Sequence, residues 1–302
     1  MLKDYLHLHL LVLIWGFTAI LGLLITIPAV EVVFYRTLFA SVTIGIWIFF
    51  FRRKINQPPV KLILKFVLTG FIIGAHWITF FASARVSTAS VSLAGLSTVT
   101  LWTSLFEPLV FKKKIKIYEV ILGLVIIAGL YIIFRFEFNH KLGLILALFS
   151  ALFAATFSVI NGKFAQRHDP YHITFYEMAG ACLGTALFFP VYKAFLAEGG
   201  QLQLGLSMSD LGYLLILSLV CTVYAFSASV ELLKRITVFM SNLTINLEPV
   251  YGIILALIIF GEKEKMGSGF YLGSGIILVA VLSYPLLNRL FRRKALETSN
   301  VR

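Results

Sequence analysis

ITVFMSNLTINLEPVYGIILALIIF, residues 236–260, is almost wholly apolar, and its one ionisable side chain, Glu248, stands near the middle beside Pro249. A helix needs about 20 mostly apolar residues to cross a bilayer. This stretch is long enough, and a carboxyl group at its centre costs about 2.5–3.5 kcal/mol on insertion scales. Such a group faces a wet cavity or a partner rather than acyl chains. Nine further runs of this kind flank it: 6–27, 31–51, 62–84, 87–111, 118–134, 141–161, 171–196, 210–231 and 268–290. Turn and breaker residues separate them, among them Pro28, Pro58-Pro59, Asn139, Asp169-Pro170, Gly199-Gly200 and Gly267. The first run lacks a small-residue cleavage site and reads as a retained helix.

Composition agrees. Charged residues are 13% of the 302, against roughly 25% in soluble domains, too few to cover a globule in water. The net charge of +12 does not indicate a nucleic-acid partner, because the basic residues sit in clusters between apolar runs. Arg52-Arg53-Lys54, Lys112-Lys113-Lys114 and Arg292-Arg293-Lys294 are the clearest. With a cytoplasmic N-terminus, the opposite loops hold only Arg85, Arg135, Lys141, Lys193, Lys263 and Lys265 of the 26 Lys and Arg. That is the positive-inside bias. It fits ten spans with both termini cytoplasmic, in a multi-pass protein of the inner membrane. Cys182 and Cys221 lie inside apolar runs with no metal-ligand spacing, and neither a metal nor a cofactor is expected.

Ten spans divide into five and five. Five is odd, so a duplicated half inserts upside down, giving an all-α membrane protein of ten transmembrane helices built as two inverted five-helix repeats. The expected halves are 1–136 and 137–302, the second with a short basic C-terminal tail. Traces of duplication support this: Phe34-Tyr35-Arg36 against Phe175-Tyr176-Glu177, Leu122-Gly123 against Leu272-Gly273, and Arg85 with Thr88 against Lys234 with Thr237.

With Leu247-Glu248-Pro249, then Gly261-Glu262, then Leu272-Gly273-Ser274-Gly275, and with Trp15-Gly16 in the first span, the chain resembles the EamA-type branch of the drug/metabolite transporter superfamily. The resemblance implies a permease moving a small metabolite by alternating access. It also implies a central cavity lined by helices 1, 3, 4, 6, 8 and 9, with helices 5 and 10 at the periphery. Amino acids or related compounds are the expected cargo and export the expected direction. The first half departs from the pattern: Thr100 stands where Pro249 stands in the second, and Phe111-Lys112 stands where Gly261-Glu262 stands. Nothing in these residues leads one to expect helix 4 to bend as helix 9 does.

Several residues are candidates for the substrate site. Helical spacing puts Ser241, Thr244, Glu248 and Tyr251 on one face of helix 9. Pro249 has no N–H and frees a carbonyl one turn back. Thr69, His76 and Ser83 recur every seven residues in helix 3, with Trp77 beside His76. A histidine can take up or release a proton, so proton coupling is an open expectation beside a neutral, structurally bonded ring. Trp15, Trp102 and Tyr224 are candidate aromatic walls. Arg36 and Glu177, the repeat-related pair, fall in the outer and inner thirds of the bilayer and are read as gate residues or snorkelling charges. Asn242 and Asn246 lie on another face and suit interhelical hydrogen bonds. Gly269 and Gly273 form a small-residue face that serves either packing within the bundle or a homodimer contact.

No H-E-x-x-H, G-x-S-x-G or Walker A pattern is present, so an enzyme is not expected. The partners expected are the bilayer and a small-molecule substrate. A channel or membrane sensor is the alternative, separated from a carrier by whether flux saturates.

Overall fold

The computed structural model describes residues 2–51, 57–136 and 138–299. Of the residues named above, Arg52, Arg53 and Lys54 lie outside them, as do the side chains of Pro249, Arg292, Arg293 and Lys294. Among the described residues there is no strand. Ten helices in chain order carry the fold: α1 (Leu2–Leu24), α2 (Ala29–Phe51), α3 (Val60–Val86), α4 (Ala89–Phe111), α5 (Ile117–Phe136), α6 (Lys141–Ala165), α7 (Pro170–Phe195), α8 (Met208–Leu232), α9 (238–260) and α10 (Ser268–Ser299). Eight are long and apolar enough to cross a membrane. The apolar segments of α5 and α10, Ile117–Ile133 and Ser268–Ala280, are shorter. The chain is an all-helical, multi-pass membrane protein whose lipid-facing side chains, such as Phe50, Leu187, Ile258 and Val279, remain exposed on the bundle's surface.

α4 and α9 decide the architecture, and they break alike. α4 runs Ala89–Leu96, pauses at Ser97 and Thr98, and resumes as Val99–Phe111. α9 runs Val238–Ile245, pauses at Asn246 and Leu247, and resumes as Glu248–Phe260. The pieces are 8 and 13 residues long in both. Each helix opens on a threonine cap: Thr88 accepts from the Val91 N–H at 3.1 Å and Thr237 from the Met240 N–H at 3.3 Å. Each closes on a positive φ, at Lys112 (53°) and Gly261 (58°). These pairs are equally spaced along the chain, so the duplication faintly visible in the sequence is written in the backbone.

The break in α4 corrects the sequence expectation, for it forms without proline. There, hydroxyls compete for the helical carbonyls: Ser97 Oγ donates to the Ala94 carbonyl at 2.6 Å and Thr98 Oγ1 to that of Gly95 at 2.8 Å. Such back-bonding loosens the ladder. Lys112 stands where Gly261 stands in the second half, both with positive φ, but Lys112 is left-handed helical (ψ 42°) whereas Gly261 has ψ −127°.

The first piece of α4 packs on the second piece of α9, and the first piece of α9 on the second piece of α4. α3 crosses α7 closely because Gly70 and Gly180 face each other. A Cβ on Gly180 would meet the Val67 carbonyl, and one on Gly70 would meet that of Glu177. α5 pairs with α10 to one side, where Gly273 abuts the Gly129 carbonyl. The Gly273 face therefore serves packing within the bundle.

Candidate functional site

A cavity of about 100 Å³ lies inside the bundle, room for several water molecules at the 10–15 Å³ each needs. α1, α3, α4, α6, α8 and α9 line it, joined by Arg36 of α2. Trp15, His76, Trp77, Ser241 and Glu248 are on its wall. Trp102, Tyr224, Thr244 and Tyr251 are not. Trp102 instead packs with Phe106, and Tyr224 is 44% exposed with its hydroxyl 3.1 Å from His7 Nε2. Thr244 bonds back to the Met240 carbonyl, and Tyr251 packs against Gly16 of α1.

Arg36 is the main relocation. It is 2% exposed and reaches inward to the cavity rather than sitting apart near one end of α2. Its guanidinium carbon lies 3.8 Å from the centre of the Trp77 ring, a cation–π stack. Its Nε donates to Thr222 Oγ1 at 2.8 Å. Thr222 belongs to a nine-residue π-helical stretch of α8, Ile216–Tyr224, where its hydroxyl donates to the Leu217 carbonyl five residues back. Widened turns of this kind gather at functional sites. The same stretch offers the Cys221 carbonyl to Trp15 Nε1 at 2.9 Å, fixing the aromatic wall.

Glu248, 5% exposed, opens the second piece of α9 on the cavity wall. Among the described residues neither Arg36 nor Glu248 has an ion-pair partner. A guanidinium and a carboxyl group thus line one chamber, near enough for their charges to interact but not in a direct ion pair. His76 is held by α6: Ser150 Oγ donates to the His76 carbonyl at 3.1 Å, so Nδ1–H donates to the Ser150 carbonyl at 2.9 Å. Nε2 is then the acceptor nitrogen of the ring.

Glu177 stands one layer behind the wall. Its Oε2 accepts from Asn161 Nδ2 at 3.1 Å. Asn161 lines the cavity and went unremarked in the sequence, where it falls at the last position of an apolar run. Asn242 donates to Thr103 Oγ1 at 2.8 Å and Asn246 to Thr100 Oγ1, the expected interhelical bonds, but Asn242 also lines the cavity beside Ser241 rather than lying on a face away from it. Glu107 accepts from the Phe239 N–H at 2.7 Å while Lys113 approaches it at 3.5 Å. It therefore caps α9 as well as joining the basic cluster.

The cavity is asymmetric along the bundle. Asn161, Ser229, Leu233 and Ser241 carry its lining toward the end where α8 finishes and α9 begins. The other end is stitched shut. Asp210 Oδ1 and Oδ2 accept from the Thr26 N–H and hydroxyl, each at 2.7 Å. Arg85 donates to the carbonyls of Gly22, Ile25 and Ile27, completing the C-terminus of α1. Glu31 accepts from the Gln203 N–H at 3.1 Å.

A helical membrane bundle thus surrounds, between two mirrored broken helices, a chamber with a few buried polar groups on an aromatic and aliphatic wall. The chain belongs to the EamA-like transporter family, whose sequence model matches residues 3–135 and 141–284. Over 164 residues it is 29% identical to the pseudopaline exporter CntI of Pseudomonas aeruginosa, in two strains. That match takes in 52% of this chain and 55% of the exporter, so the chain spans about half the length of the curated relatives it matches. A crystal structure of 14% sequence identity superposes with a TM-score of 0.69, over 95% of this chain and 99% of that one, which shows a shared fold.

Proposed function

We propose that this transporter exports a small zwitterionic metabolite, an amino acid or a related compound, across the inner membrane by alternating access. The reading rests on Arg36 and Glu248, two buried ionisable groups of opposite sign on one cavity wall, neither in a direct ion pair among the described residues. Burying an unpaired ion costs several kcal/mol. A solute carrying both a carboxylate and an ammonium group offsets both costs at once. Its carboxylate meets the guanidinium held by Trp77 and Thr222, and its ammonium meets Glu248. Trp15, Phe80, Phe157 and Phe226 give its apolar part a wall.

The positive-inside bias supports a cytoplasmic position for both termini and for the end toward which the cavity extends. An exporter loads its cargo in that state. The relative's name, a pseudopaline exporter, supports the same direction. In the other state the two halves, 1–136 and 137–302, rock so that the stitched end parts and the α8–α9 end closes. Whether a proton counterflows through His76 is decided by imposing a pH gradient on the same vesicles.

The test is uptake of a panel of radiolabelled amino acids into proteoliposomes. We expect at least one to accumulate with saturable kinetics, and Glu248→Gln and Arg36→Gln each to cut its kcat/KM by tenfold or more. Flux linear in concentration points to a channel, and wild-type rates in both variants remove the two groups from the site.

A further inference from the structure

A second cleft lies away from the chamber, between the later part of α9 and α10, and it touches both helix breaks. Ser97 of α4 and Asn246 of α9 form its floor, with Ile254, Tyr271, Ser274 and Gly275 around it. Its volume is about 180 Å³, and dry apolar cavities of about 150 Å³ accept a benzene ring. Ile254 and Tyr271 are exposed on the bundle's outer surface, so the cleft communicates with the acyl chains. A Cβ on Gly275 would meet no atom, which leaves that side open.

Two buried polar atoms in this apolar setting are unsatisfied. Asn246 gives its Nδ2 to Thr100 Oγ1, and its Oδ1 has no partner among the described residues although the side chain is 4% exposed. Ser274 Oγ is likewise without one. A buried polar atom left unpaired is unfavourable in a hydrocarbon setting. A hydroxyl suits either atom, since it can accept from Ser274 Oγ or donate to the Asn246 amide oxygen. An ammonium or carboxylate would bring a charge that nothing in the lining neutralises.

We propose that this cleft is a membrane-side site for a bilayer-dissolved apolar molecule bearing one hydroxyl, a phenol or an alcohol with a hydrocarbon tail. Its occupant would brace Ser97 and Asn246, the two points at which α4 and α9 break. That consequence rests on the carrier reading; the binding does not.

The test uses the full chain in lipid nanodiscs with 4-hexylphenol and, as the hydroxyl-free control, hexylbenzene. Thermal stability is followed against ligand concentration, and a diazirine-bearing hexylphenol maps the contact. We expect a saturable stabilisation by the phenol alone. Photolabelling should concentrate on the peptides holding Ile254 and Tyr271. Affinity should weaken about tenfold in Ser274→Ala, the loss of one buried hydrogen bond, and binding should vanish in Gly275→Phe, which fills the space. Asn246 also ties α9 to α4, so these two variants avoid disturbing that contact. Equal stabilisation by hexylbenzene, no saturable effect from either compound, or unchanged binding in both variants overturns the proposal.

Discussion

Arg36 is held by partners that orient it without neutralising it. Trp77 supplies a π face and Thr222 one acceptor, and neither is an anion. Truncating the ring, as in Trp77→Leu, removes a cation–π contact worth about 2 kcal/mol when desolvated. The expected result is a KM raised by about tenfold or more, with kcat changed far less, read from saturation curves in proteoliposomes. Arg36→Lys keeps the charge but loses the planar stack and should fall between wild type and Arg36→Gln. His76 is different. Its Nδ1 bond to Ser150 ties α3 to α6, so part of any loss in His76→Ala is structural.

Helical spacing explains which site residues can be read from the sequence. Ser241 and Glu248 reach the cavity, whereas Thr244 and Tyr251 do not. The lining follows Ser241, Asn242, Ile245 and Glu248, so the stripe is centred on the Asn242–Ile245 side and Thr244 and Tyr251 fall beyond its edge. Depth along α2 alone puts Arg36 in the outer third of the bilayer, but a long side chain ends well away from its own Cα. Asn161, alone at the foot of α6, had no pattern to mark it. The sequence carries well the number and order of the helices, whose limits match the predicted runs within about four residues except at the end of α10; the capping roles of Thr88 and Thr237 emerge only in the structure. Lys112 offers a direct check on the mirrored stops. A non-glycine residue in the left-handed region is disfavoured by roughly 1–2 kcal/mol. Lys112→Gly should therefore raise the unfolding midpoint, as differential scanning fluorimetry in detergent would register. At the α3–α7 crossing the sign reverses. Gly180→Ala puts a methyl group against the Val67 carbonyl and should cost about 1–3 kcal/mol as overpacking, visible as a lowered midpoint.

Across the whole molecule, one end of the chamber is stitched and the other carries its lining outward. The stitch at Asp210, Thr26 and Arg85 joins the α1–α2 turn to the start of α8 and the end of α3. It ties the first half to the second, so weakening it should shift the population between the two states of a carrier. With Cys182 and Cys221 replaced and a single cysteine introduced at Ser158, Asp210→Ala should raise labelling by an impermeant maleimide from the outer side at least severalfold. Unchanged labelling would mean that these bonds do not hold the outer end closed. The most direct measurement remains saturable flux of a zwitterionic amino acid by wild-type, Arg36→Gln and Glu248→Gln proteins reconstituted side by side. Saturable transport in the wild type, cut tenfold or more in both variants at equal protein and equal orientation, is the expected result. Equal rates in all three proteins would contradict the assignment of Arg36 and Glu248 to the solute's two charges.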